Sequence, residues 1–226
     1  MVFVQQLPQC SIQAITHHKK HKNINLSLSL DDIPPNALRR KQNSNWRGGF
    51  SLGVDLGMSR TGIALSKGYS IRPLTVLELR GQKFDLKLME IAEKEEVDEF
   101  IIGLPKSSDG NETTQSNIVR SIAGRFAVRA AERGWRVYLQ NEHGTSAEAL
   151  SYMIDVGLKK SSRQGKIDAY AAMMVLERYF SMSGKEVELV LPKNLELQEK
   201  LRQGPLEDLD FFVEELADQE VLPVQV

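Results

Sequence analysis

The apolar pattern along the 226 residues predicts an α/β domain: a mixed five-stranded sheet with flanking helices, in the order βββαβαβα. Three observations carry this. Between residues 51 and 79, three β-type segments succeed one another through tight turns, as in a meander. Beyond residue 84, two stretches of helical period each lead into a short apolar run, the pattern of parallel strands joined by helical crossovers. The run Val97–Leu104 (VDEFIIGL) is nearly continuous in apolar character, as a strand covered on both faces is.

Taken in order, Ser51–Leu56 and Arg60–Ser66 are predicted as the first two strands and Arg72–Leu79 as the third, with fair alternation. Phe84–Glu96 carries Phe84, Leu88, Ile91 and Ala92 at helical spacing. After Val97–Leu104 come Gly103-Leu104-Pro105 and a polar loop, Lys106–Thr114, with Asp109-Gly110 as a turn signal. Thr114–Arg133 is a second helix with Ile118, Ile122, Phe126 and Ala130 on one face, and with Arg120, Arg125, Arg129 and Arg133 expected mostly outward. Gly134 stops it. Trp135–Gln140 is a strand leading into Asn141-Glu142. A third helix over Ala147–Ile154 ends near Gly157, a basic loop runs from Lys159 to Lys166, and a fourth helix spans Ile167–Phe180.

The ends differ from this body. Residues 1–50 hold seven Lys/Arg against two acids, a net +5, so the remaining 176 residues carry −6 of the overall −1. The acid-poor start, with His17-His18-Lys19-Lys20-His21-Lys22 and scattered serines, predicts a cleavable targeting segment or a disordered basic arm over residues 1–48. No adequate apolar stretch comes after the basic cluster, which excludes a secretory signal. The destination expected is an organelle, a chloroplast ahead of a mitochondrion, and otherwise the cytoplasm. Pro34-Pro35 is expected to break any helix. Residues 184–226 form an acidic extension, in which Leu206, Leu209, Phe212, Val213 and Leu216 suggest one short amphipathic helix. No apolar run approaches the roughly 18 residues that span a bilayer, so no membrane partner is expected. The single cysteine, Cys10, excludes an intramolecular disulfide and a cysteine-based zinc site. An acidic body is an awkward partner for phosphates, so any contact with nucleic acid must rest on a local patch.

The segment that bears on chemistry is Gly53–Ser66, GVDLGMSRTGIALS. Asp55 lies inside an apolar strand, where a charge is costly unless paired or bound to a cation. Gly53, Gly57 and Gly62 allow another backbone or a phosphate to come close. Asp55 is either the first ligand of a metal site acting on a phosphodiester or a turn residue in a glycine-rich hairpin. Two further acids sit where elements meet loops, Glu142 at a strand end and Asp168 at a helix start. Strand ends of such a sheet can bring these three together, and an oxygen-only set suits Mg²⁺ or Mn²⁺. Taken singly, Asp168 could serve only the helix dipole and Glu142 could be a surface charge.

Gly53-x-Asp55-x-Gly57-x-x-Arg60-x-Gly62-x-Ala64-x-Ser66, then Gly103-Leu104-Pro105 with Asp109-Gly110, then Glu142 before Thr145, then Ile167-Asp168-Ala169-x-Ala171-Ala172 together resemble the YqgF/RuvX family over about residues 50–182. That family is described both as a pre-16S rRNA nuclease and as a Holliday junction resolvase, with an RNase H-like fold. The resemblance implies an RNase H-like nuclease domain over 49–183 whose catalytic and metal-binding carboxylates are Asp55, Glu142 and Asp168. It implies a Mg²⁺- or Mn²⁺-dependent hydrolase cutting RNA phosphodiesters at the 5′ end of pre-16S rRNA. Arg60 would steady a phosphate of the nucleic acid or the strand-one carboxylate, Gly103, Leu104 and Pro105 would approach the substrate backbone, and Lys159, Lys160, Arg163 and Lys166 could supply phosphate contacts beside Asp168. A resolvase of branched DNA, which needs a homodimer, and a non-catalytic RNA- or ribosome-binding protein stand as alternatives to a nuclease working as monomer or dimer. The family usually reads Asp-Glu-Arg-Leu-Thr-Thr where this chain reads Asn141-Glu142-His143-Gly144-Thr145-Ser146, which bears on substrate contacts rather than on the three acids. The glycine hairpin also resembles the phosphate loop of actin- and hexokinase-type ATPases, but those carry the fold twice and this chain shows one copy.

Overall fold

The computed structural model describes residues 28–205 apart from 47 and 69. Both the basic cluster at 17–22 and the amphipathic segment from Leu206 lie outside the described residues. The elements are α1 (Asn36–Gln42), β1 (Phe50–Leu56), β2 (Thr61–Lys67), β3 (Ser70–Leu77), α2 (Gly81–Lys94), β4 (Val97–Leu104), α3 (Thr114–Ala131), β5 (Arg136–Asn141), α4 (Thr145–Asp155), α5 (Lys160–Arg163), α6 (Ile167–Ser181), β6 (Glu188–Leu189) and α7 (Leu195–Gln203). The sheet order is β3-β2-β1-β4-β5-β6. β1, β2 and β3 form the antiparallel meander, and β4 and β5 run parallel to β1. The RNase H-like arrangement predicted from the sequence is present, with one strand more than the five expected. That sixth strand is two residues long and too short to show a period, and it pairs antiparallel with β5 at the sheet edge.

Strand alternation sorts side chains onto two faces. One face (Leu52, Val54, Leu56, Phe100, Ile102, Leu104, Val137, Leu139) packs against α2 and α3 through Phe84, Leu88, Val119, Ala123 and Phe126. Phe126 meets Phe100 edge to face at 4.7 Å between ring centroids. The other face is covered by α6, whose Ala172, Val175, Leu176 and Tyr179 pack with Ala64, Ile101 and Tyr138. Gly53 is what lets α6 settle this close: a Cβ there would stand 2.6 Å from Leu176 Cγ and 2.7 Å from the Ala172 carbonyl oxygen. Thr113 and Ser116 form a capping box that starts α3. The arginines of α3, and Arg133 just beyond it, face outward as the spacing predicts, yet they are paired. Arg125 forks onto the buried Asp85 at 2.9 and 3.0 Å, Arg120 bridges Glu112 and Glu188, and Arg133 meets Glu93.

The boundary drawn at residue 48 divides a folded unit. No helix runs through Pro34-Pro35, as expected, but one starts right after it with Pro35 as N-cap of α1, since a proline that precedes the first turn removes no helical hydrogen bond. The Asn36 backbone N–H donates to Glu99 Oε2 at 2.8 Å, and its side-chain amide donates to Asp98 Oδ1 at 2.7 Å. Arg136, fully buried, donates to Asn36 Oδ1 at 3.0 Å and to Asp98. Ser51 and Tyr179 hydroxyls donate to the other Glu99 oxygen. The Tyr138 hydroxyl donates to the Ile33 carbonyl at 3.0 Å. Residues 28–42 therefore seal the end of the sheet where β4 and β5 begin. Leu28 and Ile33 join Leu201 of α7 and Ala131 of α3 in a small cluster of their own, so the first part of the acidic extension is folded as well. No helix among the described residues is long and apolar enough to cross a membrane.

Candidate active site

β1, β4 and β5 end at the same edge, opposite the sealed one, and the carboxylates gather there. Asp55 and Glu142 come from the face that α6 covers, Asp55 one residue before the end of β1 and Glu142 one residue beyond β5. Asp168 is in the first turn of α6. Two glycines set these positions. A Cβ on Gly62 would overlap the Asp168 carbonyl and lie 2.8 Å from Ala169 N, so glycine lets the start of α6 rest on β2. A Cβ on Gly103 would overlap Glu142 Oε2 and lie 3.2 Å from Glu142 Cβ, so glycine leaves room for that carboxylate.

Burial pushes Asp55 up to about 6, with the Asp168 charge adding to the effect and a hydrogen bond from Glu142 opposing it. Burial likewise pushes Glu142 up to about 8, reinforced by the charge of Asp55 and by the proton it shares with Asp55, and opposed by Arg178. The two carboxylates thus retain protons as a pair above the usual carboxylate range. Arg60 Nε lies 2.9 Å from Asp168 Oδ2, an ion pair whose angle is not that of a hydrogen bond, so this buried oxygen keeps an unfilled lone pair. Glu142 Oε2 is also buried without a hydrogen-bond partner.

Among the described residues no three His, Cys, Asp or Glu side chains converge into a ready-made metal-holding group. The donors nevertheless fit a hard divalent cation. They are oxygen only, two of the oxygens are buried without a hydrogen bond, and a pair of facing carboxylates is held together against its own repulsion. Asp55 and Glu142 form the close pair, and Asp168, drawn toward Arg60, is near enough for its charge to act on Asp55.

The remaining predicted residues divide. Arg60 sits at the site, on Asp168, with Nη2 3.5 Å from the Gln164 carbonyl. Gly103 and Leu104 do not face open solvent. Leu104 is buried and its carbonyl accepts from Glu142 N at 3.1 Å, while the Pro105 carbonyl accepts from Ser116, so this segment braces Glu142 and the start of α3. Lys159, Lys160 and Lys166 are exposed and Arg163 half-buried on and around α5, which leads into Asp168. In the altered turn, His143 is exposed and its Nδ1 lies 3.1 Å from the Lys106 carbonyl. Gly144 adopts φ +84 as N-cap of α4, a left-handed conformation that favours glycine, so it fixes the turn here and does not loosen it. Sequence patterning missed Arg178. Its Nη1 donates to the Asn141 and His143 carbonyls at 3.1 and 2.9 Å, and its Nη2 meets Glu148 at 2.7 Å. The one signal was a cation on a largely apolar helix.

The family model described as "RuvX: Holliday junction resolvase" matches residues 49–182. A "Putative pre-16S rRNA nuclease" of Rickettsia typhi is 34% identical over 129 residues, 56% of this chain and 81% of that one. One of the same name from Nitratidesulfovibrio vulgaris is 29% identical over 134 residues, 58% of this chain and 92% of that one. Among solved structures, Thermus thermophilus RuvC in complex with a Holliday junction substrate matches 63% of this chain and 99% of its own at 17% identity, with a TM-score of 0.42.

Proposed function

From the premise that this chain belongs to the RuvX family, we propose that it is a metal-dependent nuclease that hydrolyses RNA phosphodiesters in maturation of the 5′ end of pre-16S rRNA. The observation that carries the metal-dependent part is the facing pair Asp55 and Glu142, given room by Gly103 and each holding its proton far above the usual carboxylate range. Two carboxylates so disposed are stabilised by a proton or by a divalent cation. Asp55 and Glu142, with Asp168, would hold Mg²⁺ or Mn²⁺, which supplies charge stabilisation to the phosphodiester oxygens and acidity to an attacking water. Arg60 steadies Asp168, Arg178 steadies the turn that carries Glu142, and the basic segment 159–166 meets the phosphates of the strand. The acid-poor stretch ahead of residue 28 supports delivery to an organelle, a chloroplast ahead of a mitochondrion.

Asp55→Asn is expected to abolish cleavage of a pre-16S 5′ leader in Mg²⁺ while the protein keeps its circular dichroism and melts no lower than the wild type. Full cleavage by that variant would overturn the assignment. Ribosomal RNA ends mapped in cells lacking the protein should retain 5′ extensions, and unextended ends would overturn the maturation role. The family description favours a second reading, resolution of branched DNA. That reaction needs two sites in one dimer, and paired symmetrical nicks in a synthetic four-way junction would establish it.

A further inference from the structure

Helices α4 and α6 pack side by side and antiparallel. Glu148, early in α4, meets Arg178, late in α6, while Tyr152, late in α4, meets Tyr170, early in α6. The two tyrosine rings lie 6.0 Å apart at 39°, tilted so that neither covers the other. Tyr152 is 42% exposed, and Ile154 and Val156 beside it are more than half exposed. A large ring left in water beside an active site is an unused contact surface.

The charge around this pair is mostly positive: between Tyr152 and Lys166 the chain carries four cations against one acid, Asp155. From the end of α4 the chain runs through Lys159, Lys160, Arg163 and Lys166 into Asp168. None of these four makes an ion pair among the described residues, whereas Arg60, Arg120, Arg125, Arg133, Arg136 and Arg178 each meet an acid. Arg60 ties this segment to the carboxylates, reaching Asp168 with Nε and the Gln164 carbonyl with Nη2. Unpaired cations track a phosphate backbone, and exposed aromatic faces stack bases. Bases inside a duplex are already stacked and paired, and they cannot lie on a side chain.

We propose that Tyr152, supported by Tyr170 and flanked by Lys159, Lys160, Arg163 and Lys166, is a platform for the unpaired bases of a single-stranded RNA that runs from the α4–α5 surface to the carboxylates. The proposal rests on the nuclease reading above and adds the substrate form: an unpaired flank, with duplex RNA excluded from this surface. A protein partner would use the apolar part of the patch, but it gives no role to four unpaired cations set against the single acid Asp155, and this favours the nucleic acid.

The test is binding by the full chain carrying Asp55→Asn, which holds the strand without cutting it, in Mg²⁺. Fluorescence anisotropy is read with a labelled single-stranded RNA of about twelve nucleotides and with a blunt duplex of the same sequence. Added Tyr152→Ala should weaken the single strand on the order of tenfold, and leave the duplex unchanged. Added Tyr152→Phe should bind as the parent does, because the ring face survives and only the hydroxyl is lost. Tyr152 is exposed enough that both variants fold, and this is checked by thermal melting. Equal single-strand affinity in Tyr152→Ala would overturn the platform while the nuclease reading stands. So would equal losses on strand and duplex, or a loss only of self-association or protein binding. Failure of the parent to bind any RNA would overturn both.

Discussion

Gly62 and Gly103 hold two of the carboxylates in place, and alanine at each should produce opposite phenotypes. At position 62 the added Cβ meets backbone, the Asp168 carbonyl and Ala169 N at 2.8 Å, where ordinary contact begins near 3.4 Å. Relief requires the first turn of α6 to rise from β2, and α6 is pinned farther along by Ala172, Val175, Leu176 and Tyr179 in the core. A forced shift of this kind costs about 3 kcal/mol. For a chain of this size that lowers the melting temperature by about 6 to 12 °C. At position 103 the Cβ meets the far end of a flexible side chain, Glu142 Oε2, with Glu142 Cδ at 2.9 Å. The carboxylate swings aside, and stability changes by less than about 1 kcal/mol, because alanine also removes freedom from the unfolded chain. Activity should not survive as well, since displacing a metal-holding group by about 1 Å costs on the order of a hundredfold. Differential scanning fluorimetry and the Mg²⁺ cleavage assay on both variants separate the two effects. Wild-type melting by Gly62→Ala, or full cleavage by Gly103→Ala, would refute the steric account.

Two further outcomes arise from the charges. Asp55 and Glu142 both release their protons later in the folded chain than in the unfolded one, Asp55 at about 6 and Glu142 at about 8. The folded, metal-free protein therefore binds more protons, and the stability these groups lend is complete below about pH 4 and lost as pH rises to about 8. In EDTA the protein should lose on the order of 3 kcal/mol between about pH 5 and pH 8, and Glu142→Gln should flatten much of that slope; identical slopes in urea titrations of the two proteins would refute it. At the sealed end, Asn36→Ala removes one partner each from the buried Asp98 and Arg136, and should lower the urea midpoint by an amount equal to about 2 kcal/mol without changing the slope. Its cleavage rate at low temperature should match the wild type, because Asn36 stands at the opposite edge of the sheet from Asp55.

The sheet core was legible because its patterns are local. VDEFIIGL begins and ends where β4 does, and the period of 167–180 gives α6 to within one residue. Asp55 was legible as a carboxylate among apolar neighbours and glycines, and Glu142 and Asp168 through the order of motifs that place them. What Asp98 and Glu99 do inside that strand was not legible, because their partners, Asn36 and Arg136, come from distant segments with no period of their own. Pro34-Pro35 lies in no helix, as expected, but that a helix starts right after it was not legible, since a proline is a breaker inside a helix and a starter just ahead of one. That the Gly103-Leu104-Pro105 segment, expected to approach substrate, also gives room to Glu142 and accepts its N–H was not legible, because it depends on which side of β4 is covered. Arg178 left only the trace of a cation on a largely apolar helix, and the Tyr152–Tyr170 pair, a contact across two helices, leaves none in the pattern of either alone.

The way α1 is seated limits how the N-terminal end can be trimmed. The match to the family begins at residue 49, yet a processing protease that cut there would take away the Asn36 amide from Glu99 and Asp98, the Ile33 carbonyl from Tyr138, and the Arg40 guanidinium from the Gly49 carbonyl, 2.6 Å away. Glu99 and Arg136 would then be opened at the end of the sheet with their hydrogen bonds half filled, at a cost comparable to the whole stability of a small domain. A scissile bond that frees a leader and spares these contacts lies ahead of Ile33, so such a trimmed form keeps α1 ahead of the segment that the family model matches.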